Sequence, residues 1–257
     1  MSETSAPRVF QCLCGERPEL AEGAQLFDLL RAHYRAAHPD RTATDDDIRT
    51  IVAKSAGPNP WDGSSRPLPG PIEVKGLSPE RVTDFLTFFD GDAFMDNPAW
   101  ASCYCLYYQL DIPNEEWQAR RGDENRAAKA ELIRDGKSHG VLAYADGKPV
   151  GWCHAAPKAD LPAFRDGDVA SDDTPDVGSI VCFVVAAPYR GQGLGRRLID
   201  AACDELRSLG LKVAEAYPLR EGISQAQNYH GTLGMYLDAG FEVVRDVEDR
   251  AVVRKGL

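Results

Sequence analysis

The sequence has no apolar run approaching the roughly twenty residues a membrane-spanning helix needs. Its opening, Met-Ser-Glu-Thr-Ser-Ala-Pro-Arg8, lacks the apolar stretch of a secretion signal. These absences predict no membrane partner and a cytoplasmic location. Basic residues are in deficit, 29 Lys and Arg against 40 Asp and Glu, for a net charge of −11. That balance speaks against a nucleic-acid partner, because phosphate-backbone contact needs clustered cations, and it suits a cationic acceptor. The cysteine count, seven, is odd; with no secretion signal it points to reduced thiols rather than a disulfide framework. Internal repeats are absent. So is the Gly-Lys-Ser/Thr ending of a P-loop. A complete Gly-x-Gly-x-x-Gly is missing too, since counting from Gly191 the last place holds Arg196 and from Gly193 it holds Leu198. Glu215, at the end of the following strand, imitates the ribose-binding acid of that fingerprint without completing it.

What is present centres on residues 180–199. Ile180 to Val185 is an unbroken apolar, largely β-branched run, which reads as a buried strand ended by Pro188. Gly191, Gly193 and Gly195 follow in alternation. Leu194, Leu198, Ala202, Leu206 and Leu209 then recur at helical spacing, with charged residues on the opposite face and Gly210 as the stop. A strand, a glycine-rich turn and a helix starting inside the turn make an anion site, because the first helical N–H groups have no internal partners. Arg190, Arg196 and Arg197 crowd the positive end of the helix dipole, an arrangement expected where an anion fills the turn.

The string Arg190-Gly191-Gln192-Gly193-Leu194-Gly195 fits R/Q-x-x-G-x-G/A and resembles the GNAT superfamily of acyl-CoA-dependent N-acyltransferases. Downstream, Leu233-Gly-Met-Tyr-Leu-Asp-Ala-Gly-Phe241 is similar to the second GNAT motif, a helix with a Tyr four residues before Gly-Phe. The resemblance covers about residues 72–257. It implies an α/β (α+β) GNAT fold: a mixed, mostly antiparallel sheet splayed at the acyl-CoA site, with helices on both faces. Acetyl-CoA is then the implied co-substrate, held by Phe183, Val184, Val185, Arg190, Gly191, Gln192, Gly193, Leu194, Gly195 and Arg196, and by Asn228, which stands one place from where a GNAT asparagine falls. Amides of the turn would grip the pyrophosphate, a main-chain N–H of Val184 or Val185 would polarise the thioester carbonyl, and Tyr236 would protonate the departing thiolate. Many relatives place a Glu on or before the central strand as the base. Here Gly178-Ser179-Ile180 stand instead, leaving Asp176, His154 or a water relay.

Before this portion, residues 1–57 read as a small module. Ala24 to Ala37 forms a helix stopped by Pro39, and a second helix, capped by Thr44 to Asp47, runs through Ile51 and Val52. Cys12, Cys14, His33 and His38 stand in the order of a Cys₂His₂ zinc site, though Cys-x-Cys is one residue short of the usual spacing. A core of some fifty residues is marginal, which is a physical reason to want a metal. Residues 58–71, rich in Pro and Gly, form a semi-rigid linker.

The segment Phe94 to Tyr108 is unusually aromatic. In the GNAT fold such a segment helps form the acceptor pocket, so Trp100, Tyr104 and Tyr107, with Trp117, are candidates to line it. Cys103 and Cys105 lie in the same segment and, on a strand, would face opposite sides. Asn125 to Ile133 reads as an amphipathic helix. Val141–Ala145 and Val150–Ala155 form a hairpin about Asp146-Gly147. Residues 158–178 carry six aspartates against one Lys and one Arg; they read as a polar flap over the acceptor site, with Asp166, Asp168, Asp172 and Asp173 drawing in an ammonium group. The expected activity is acetyl transfer from acetyl-CoA to a primary amine of a small or amino-acid-like acceptor, by a monomer or homodimer. A protein-lysine acceptor and a non-catalytic acyl-CoA-binding regulator are the alternatives.

Overall fold

The computed structural model describes residues 8–9, 19–20, 23–37, 45, 48, 64–164, 174–220 and 227–257. Near the start, β1 (Arg8–Val9) pairs antiparallel with β2 (Glu19–Leu20), followed by α1 (Gly23–Ala37). The main sheet has seven strands: β3 (Ile72–Gly76), β4 (Val141–Ala145), β5 (Lys148–Pro157), β6 (Val177–Val185), β7 (Val213–Ala216), β8 (Glu242–Val247) and β9 (Arg250–Gly256). Their order is β3-β4-β5-β6-β7-β9-β8, and every pairing is antiparallel except β6 with β7.

Helices cover both faces. On one lie α5 (Leu194–Ser208) and the short α6 (Leu233–Asp238). The predicted stripe of α5 is buried at Leu194, Leu198, Ile199, Ala202, Cys203 and Leu206, each large side chain contributing about 1.5–3 kcal/mol. Leu209, expected in that stripe, is exposed because the helix has already ended at Ser208. Gly178 of β6 faces this helix closely: a Cβ there would sit 2.5 Å from Leu206 and 2.8 Å from Leu211. On the other face lie α2 (Val82–Asp90), α3 (Asn114–Ala119) and α4 (Gly122–Arg134), joined by short 3₁₀ turns through residues 92–109. Here Phe85, Phe88 and Phe89 pack with Tyr104, Tyr144 and Trp152.

Several expectations need correction. Cys103 and Cys105 are not on a strand: Cys103 ends a 3₁₀ turn, and Tyr104 and Cys105 both adopt left-handed backbone, at φ 46° and 50°. The helix expected from Asn125 starts at Gly122, because a Glu124 carboxylate accepts the Arg121 amide in a capping box. The polar flap is shorter than expected at both ends. Lys158 is 3 % exposed, and Val177 and Gly178 belong to β6. The flap aspartates 166, 168, 172 and 173 lie outside the described residues, as does most of the second helix of the amino-terminal module. The Asp146-Gly147 hairpin forms as expected, with both residues left-handed at φ 50° and 75°.

Candidate active site

The pairing of β6 with β7 runs from Val177 opposite Val213 to Ile180 opposite Ala216 and then stops. Two features drive the strands apart. On β6, the register against β5 shifts between His154–Cys182 and Ala155–Ile180, leaving Val181 as an extra residue that bends the strand. On the other side, the chain leaving β7 meets Pro218 and stays with β9: Ala251 N–H donates to Pro218 O at 2.9 Å and Arg250 Nη1 to Tyr217 O at 3.1 Å. The β6 edge from Cys182 to Val185 therefore borders a gap. Ala186 N–H donates back to Val150 O at 3.0 Å. Alternation along an antiparallel pair then turns the Val185 and Phe183 amides away from β5, toward the gap. Of the two amides considered, Val185 rather than Val184 faces the opening.

The glycine turn stands directly beyond this edge. Gly191 and Gly193 adopt φ 74° and 80° with nothing within 4 Å of a would-be Cβ, and no side chain caps α5. The first amides of a 15-residue helix are thus left free of a side-chain cap. Gly195 is needed for a different reason: a Cβ there would lie 2.6 Å from the Met235 sulfur of α6. The arginines need a correction as well. Arg190 is paired with Asp96 and donates Nε to Val185 O at 2.9 Å, while Arg196 pairs with Asp200 and reaches Asp238 O. Two of the three cations are therefore neutralised by the fold, and only Arg197 has no acidic partner among the described residues. Gln192 also turns away: its Nε2 donates to Arg66 O at 2.7 Å and its Oε1 accepts from Leu68 N–H at 3.1 Å, tying the linker to the turn.

Tyr236 is fully buried on the α5 side of the gap, its ring 6.2 Å from Phe183 and 5.1 Å from Phe241. Its hydroxyl donates to His230 O at 2.9 Å, and burial pushes its pKa well above the usual value, so it keeps its proton. Gly231 lets the preceding loop pass this ring, at φ 83° with a would-be Cβ 2.9 Å from the Tyr236 ring. Asn228 belongs to the same loop, its carbonyl accepting from Gly231 N–H at 2.8 Å.

On the opposite face, rings form a connected series. Trp100 packs on Tyr229 (5.4 Å), Tyr229 on His230 (4.1 Å), His230 on Tyr108 (5.9 Å), Tyr108 on Tyr107 (5.2 Å) and Tyr107 on Trp117 (5.3 Å). Tyr108 Oη and His230 Nε2 are hydrogen-bonded at 3.1 Å. Burial, helped by the Arg250 charge, takes the His230 pKa down to about 3, so its ring is neutral. Tyr104 lies apart from this series. It stacks on Phe89 and donates to Asp90 at 2.8 Å within the α2–α4 packing. Sequence reasoning missed Tyr108, Tyr229 and His230; the adjacency of Tyr229 and His230 to Gly231 was the available signal.

The candidate bases fare differently. Asp176 precedes β6, five residues or roughly 16 Å before the gap begins, and is paired with Lys212 on the surface. The structure does not bring it to the site. His154 stands opposite Cys182 on the gap-bordering stretch, fully buried, with Nδ1 3.6 Å from the Cys105 sulfur. Its pKa is lowered, by burial first and the nearby Lys129 charge second. Glu215, one residue before β7 ends, is no ribose ligand. It is buried and bound by Lys158 at 2.5 Å, Arg254 at 2.6 Å and the Tyr217 hydroxyl at 2.6 Å. Of the four residues considered for zinc, Cys12, Cys14 and His38 lie outside the described residues and His33 is on α1. Among the described residues no group of three or more Cys, His, Asp or Glu is gathered as a metal site, and no helix is long and apolar enough to cross a membrane.

The profile of the acetyltransferase (GNAT) family matches residues 106–235, just over half of the chain. No curated protein sequence matches. Among solved structures, the chain is similar to the PaiA N-acetyltransferase of Thermoplasma acidophilum in complex with coenzyme A, at 13% identity and TM-score 0.43, covering 73% of this chain and 99% of that one. A putative acetyltransferase, YncA, from Salmonella typhimurium with acetyl-CoA is similar at 16% identity and TM-score 0.43, over 72% and 94%. The ribosomal-protein-alanine N-acetyltransferase of Brucella melitensis is similar at 17% identity and TM-score 0.42, over 72% and 99%.

Proposed function

Because the chain belongs to the acetyltransferase (GNAT) family, we propose that it moves an acetyl group from acetyl-CoA to a primary amine of a small or amino-acid-like acceptor by direct attack. The observation that carries this reading is the free edge of β6 opening straight into the uncapped start of α5. A pantetheine arm laid in the gap would meet the Val185 amide, and the diphosphate would meet the amides of Gly191 to Arg196, with Arg197 as its cation.

The acceptor enters from the aromatic face. Rings of Trp100, Tyr107, Tyr108 and Tyr229 offer flat apolar walls and negative ring faces to a carbon-linked amine. The amine attacks in its neutral form. Glu215 is committed to two cations and a hydroxyl, and His230 is too weak a base at about 3 to hold the released proton. That proton leaves through water at the open mouth. Tyr236, protonated and beside Phe183, supplies the proton for the coenzyme A sulfur by turning its hydroxyl from His230 O.

A thiol-release assay with acetyl-CoA over amines, amino acids, aminated antibiotics and peptides tests the reading. Turnover restricted to small amines supports it. Turnover restricted to peptide lysines refutes the acceptor assignment, and silence across the panel with intact acetyl-CoA binding refutes catalysis.

A further inference from the structure

Buried Cys105, His154 and Lys129, with half-buried Cys182, form a polar cluster on the α2–α4 side of β6 that acetyl transfer does not use. Cys105 is held there by two consecutive left-handed residues, Tyr104 and Cys105, a backbone that non-glycine residues adopt at a cost. The turn carries its thiol inward to 3.6 Å from His154 Nδ1. His154 is the cross-strand partner of Cys182, which packs against the same cluster as Cys105, so both thiols adjoin one imidazole. Lys129, fully buried on α4, donates to Cys105 O at 3.3 Å and has no carboxylate partner among the described residues. His154 Nε2 is buried with no partner. A buried ammonium with no carboxylate partner among the described residues, and an imidazole against the sulfur, favour a compensating negative charge on Cys105.

The direction of each titration agrees. Burial alone would push the Cys105 thiol up, but the neighbouring Cys182 thiol and the fields of His154 and Lys129 outweigh it and hold the thiol well below its usual value. Cys182 is raised, first by the neighbouring Cys105 sulfur and then by burial, and burial raises Cys103 to about 11. One thiolate and one neighbouring thiol result. Cys182 is partly exposed on the strand bordering the gap, which gives a small oxidant a way in.

We propose that Cys105 and Cys182 are a reactive dithiol which hydroperoxides convert reversibly into a disulfide in the wall of the gap. The Cys105 thiolate attacks one peroxide oxygen, the O–O bond breaks, and the other oxygen leaves as water or an alcohol after taking up a proton. Cys105 is then a sulfenic acid. The Cys182 sulfur attacks it, the S–O bond breaks, and the hydroxyl departs as water with the Cys182 proton. Two thiols are oxidised and one peroxide is reduced.

The test is peptide mapping of the native full-length chain, treated with one equivalent of hydrogen peroxide, alkylated and digested without reductant. The expected product is a cross-link joining the Cys105 and Cys182 peptides, removed by dithiothreitol. In Cys182→Ser the sulfenic acid should persist on Cys105 and be trapped by dimedone, whereas Cys103→Ser should leave the cross-link rate within about twofold of wild type. A link through Cys103 or Cys153, or both target thiols alkylated at the rate of Cys103, overturns the proposal. The wild-type map decides even if a variant fails to fold. It is read without acetyl-CoA, so its failure leaves the acetyl-transfer reading untouched, and the reverse.

Discussion

Replacing Lys129 by Met tests the physics of the buried cluster most directly. Lys129 has no exposed surface; Nζ lies 5.6 and 5.7 Å from the ring centres of Phe85 and Trp152 and donates to Gln109 Oε1 at 2.5 Å. Burial lowers its pKa from 10.5 to about 8. The unfolded chain therefore holds this proton more tightly than the folded one. Stability contributed by Lys129 is depressed below about pH 8 and recovers as pH rises toward 10.5, by about 1.4 kcal/mol per unit and about 3 kcal/mol in all. Methionine is of similar length and carries no charge, so the variant escapes this penalty but loses the hydrogen bond to Gln109, worth about 1 kcal/mol. Net, Lys129→Met should be about 2 kcal/mol more stable than wild type in urea at pH 7, with the advantage shrinking by about 2 kcal/mol at pH 9.5. The same variant should slow Cys105 oxidation, because its thiolate loses a cation. A stability difference that stays constant with pH, or a variant several kcal/mol weaker at pH 7, would show that the ammonium is solvated or paired and refute the reasoning.

Tyr236→Phe should lower kcat by about 10²–10⁴ with little change in acetyl-CoA affinity; an unaltered kcat removes the tyrosine from proton transfer. Glu215→Gln leaves Lys158 and Arg254 as buried or half-buried cations without their shared carboxylate, and should cost about 3–5 kcal/mol in denaturant melts. A loss under about 1 kcal/mol would mean that water already reaches them. His230 has a folded pKa of about 3 against 6.5 unfolded, so the unfolded chain takes up its proton first and stability falls as pH drops below 6.5. His230→Asn should flatten that acid limb by about 1.4 kcal/mol per pH unit between pH 6 and 4; parallel wild-type and variant curves would place the imidazole in water.

The parts of this molecule that could be read from sequence are those whose cause is local. Ile180 to Val185 and the α5 stripe follow from apolar periodicity, the Asp146-Gly147 hairpin from turn chemistry, and the α5 start from glycine spacing. What escaped was set by partners far apart in the chain. Lys158 opens a stretch rich in aspartate and looks solvated, yet its counter-ion is 57 residues away on β7. Arg190 sits in the phosphate-turn motif, yet its counter-ion is 94 residues away at Asp96. Cys103 and Cys105 alternate as on a strand, but consecutive left-handed residues there give no periodic signature.

The gap itself belongs to both classes. Pro218 is visible in the sequence and stops β7 from extending along β6, since it has no N–H for a ladder. The bulge at Val181 is not visible, because Ile180 to Val185 reads as uniform strand. A proline alone would shorten β7 and leave the next residues free to pack back on β6. The bulge works against that by bending β6, while Arg250 and Ala251 hold residues 217 and 218 on β9. The bulge also shifts the pairing so that Cys182, rather than Val181, lies opposite His154. One extra residue in β6 therefore both helps to open the strands at the candidate acetyl-CoA site and brings the second thiol to the Cys105–His154 pair. The candidate acyl site and the proposed thiol pair share one cause in the backbone.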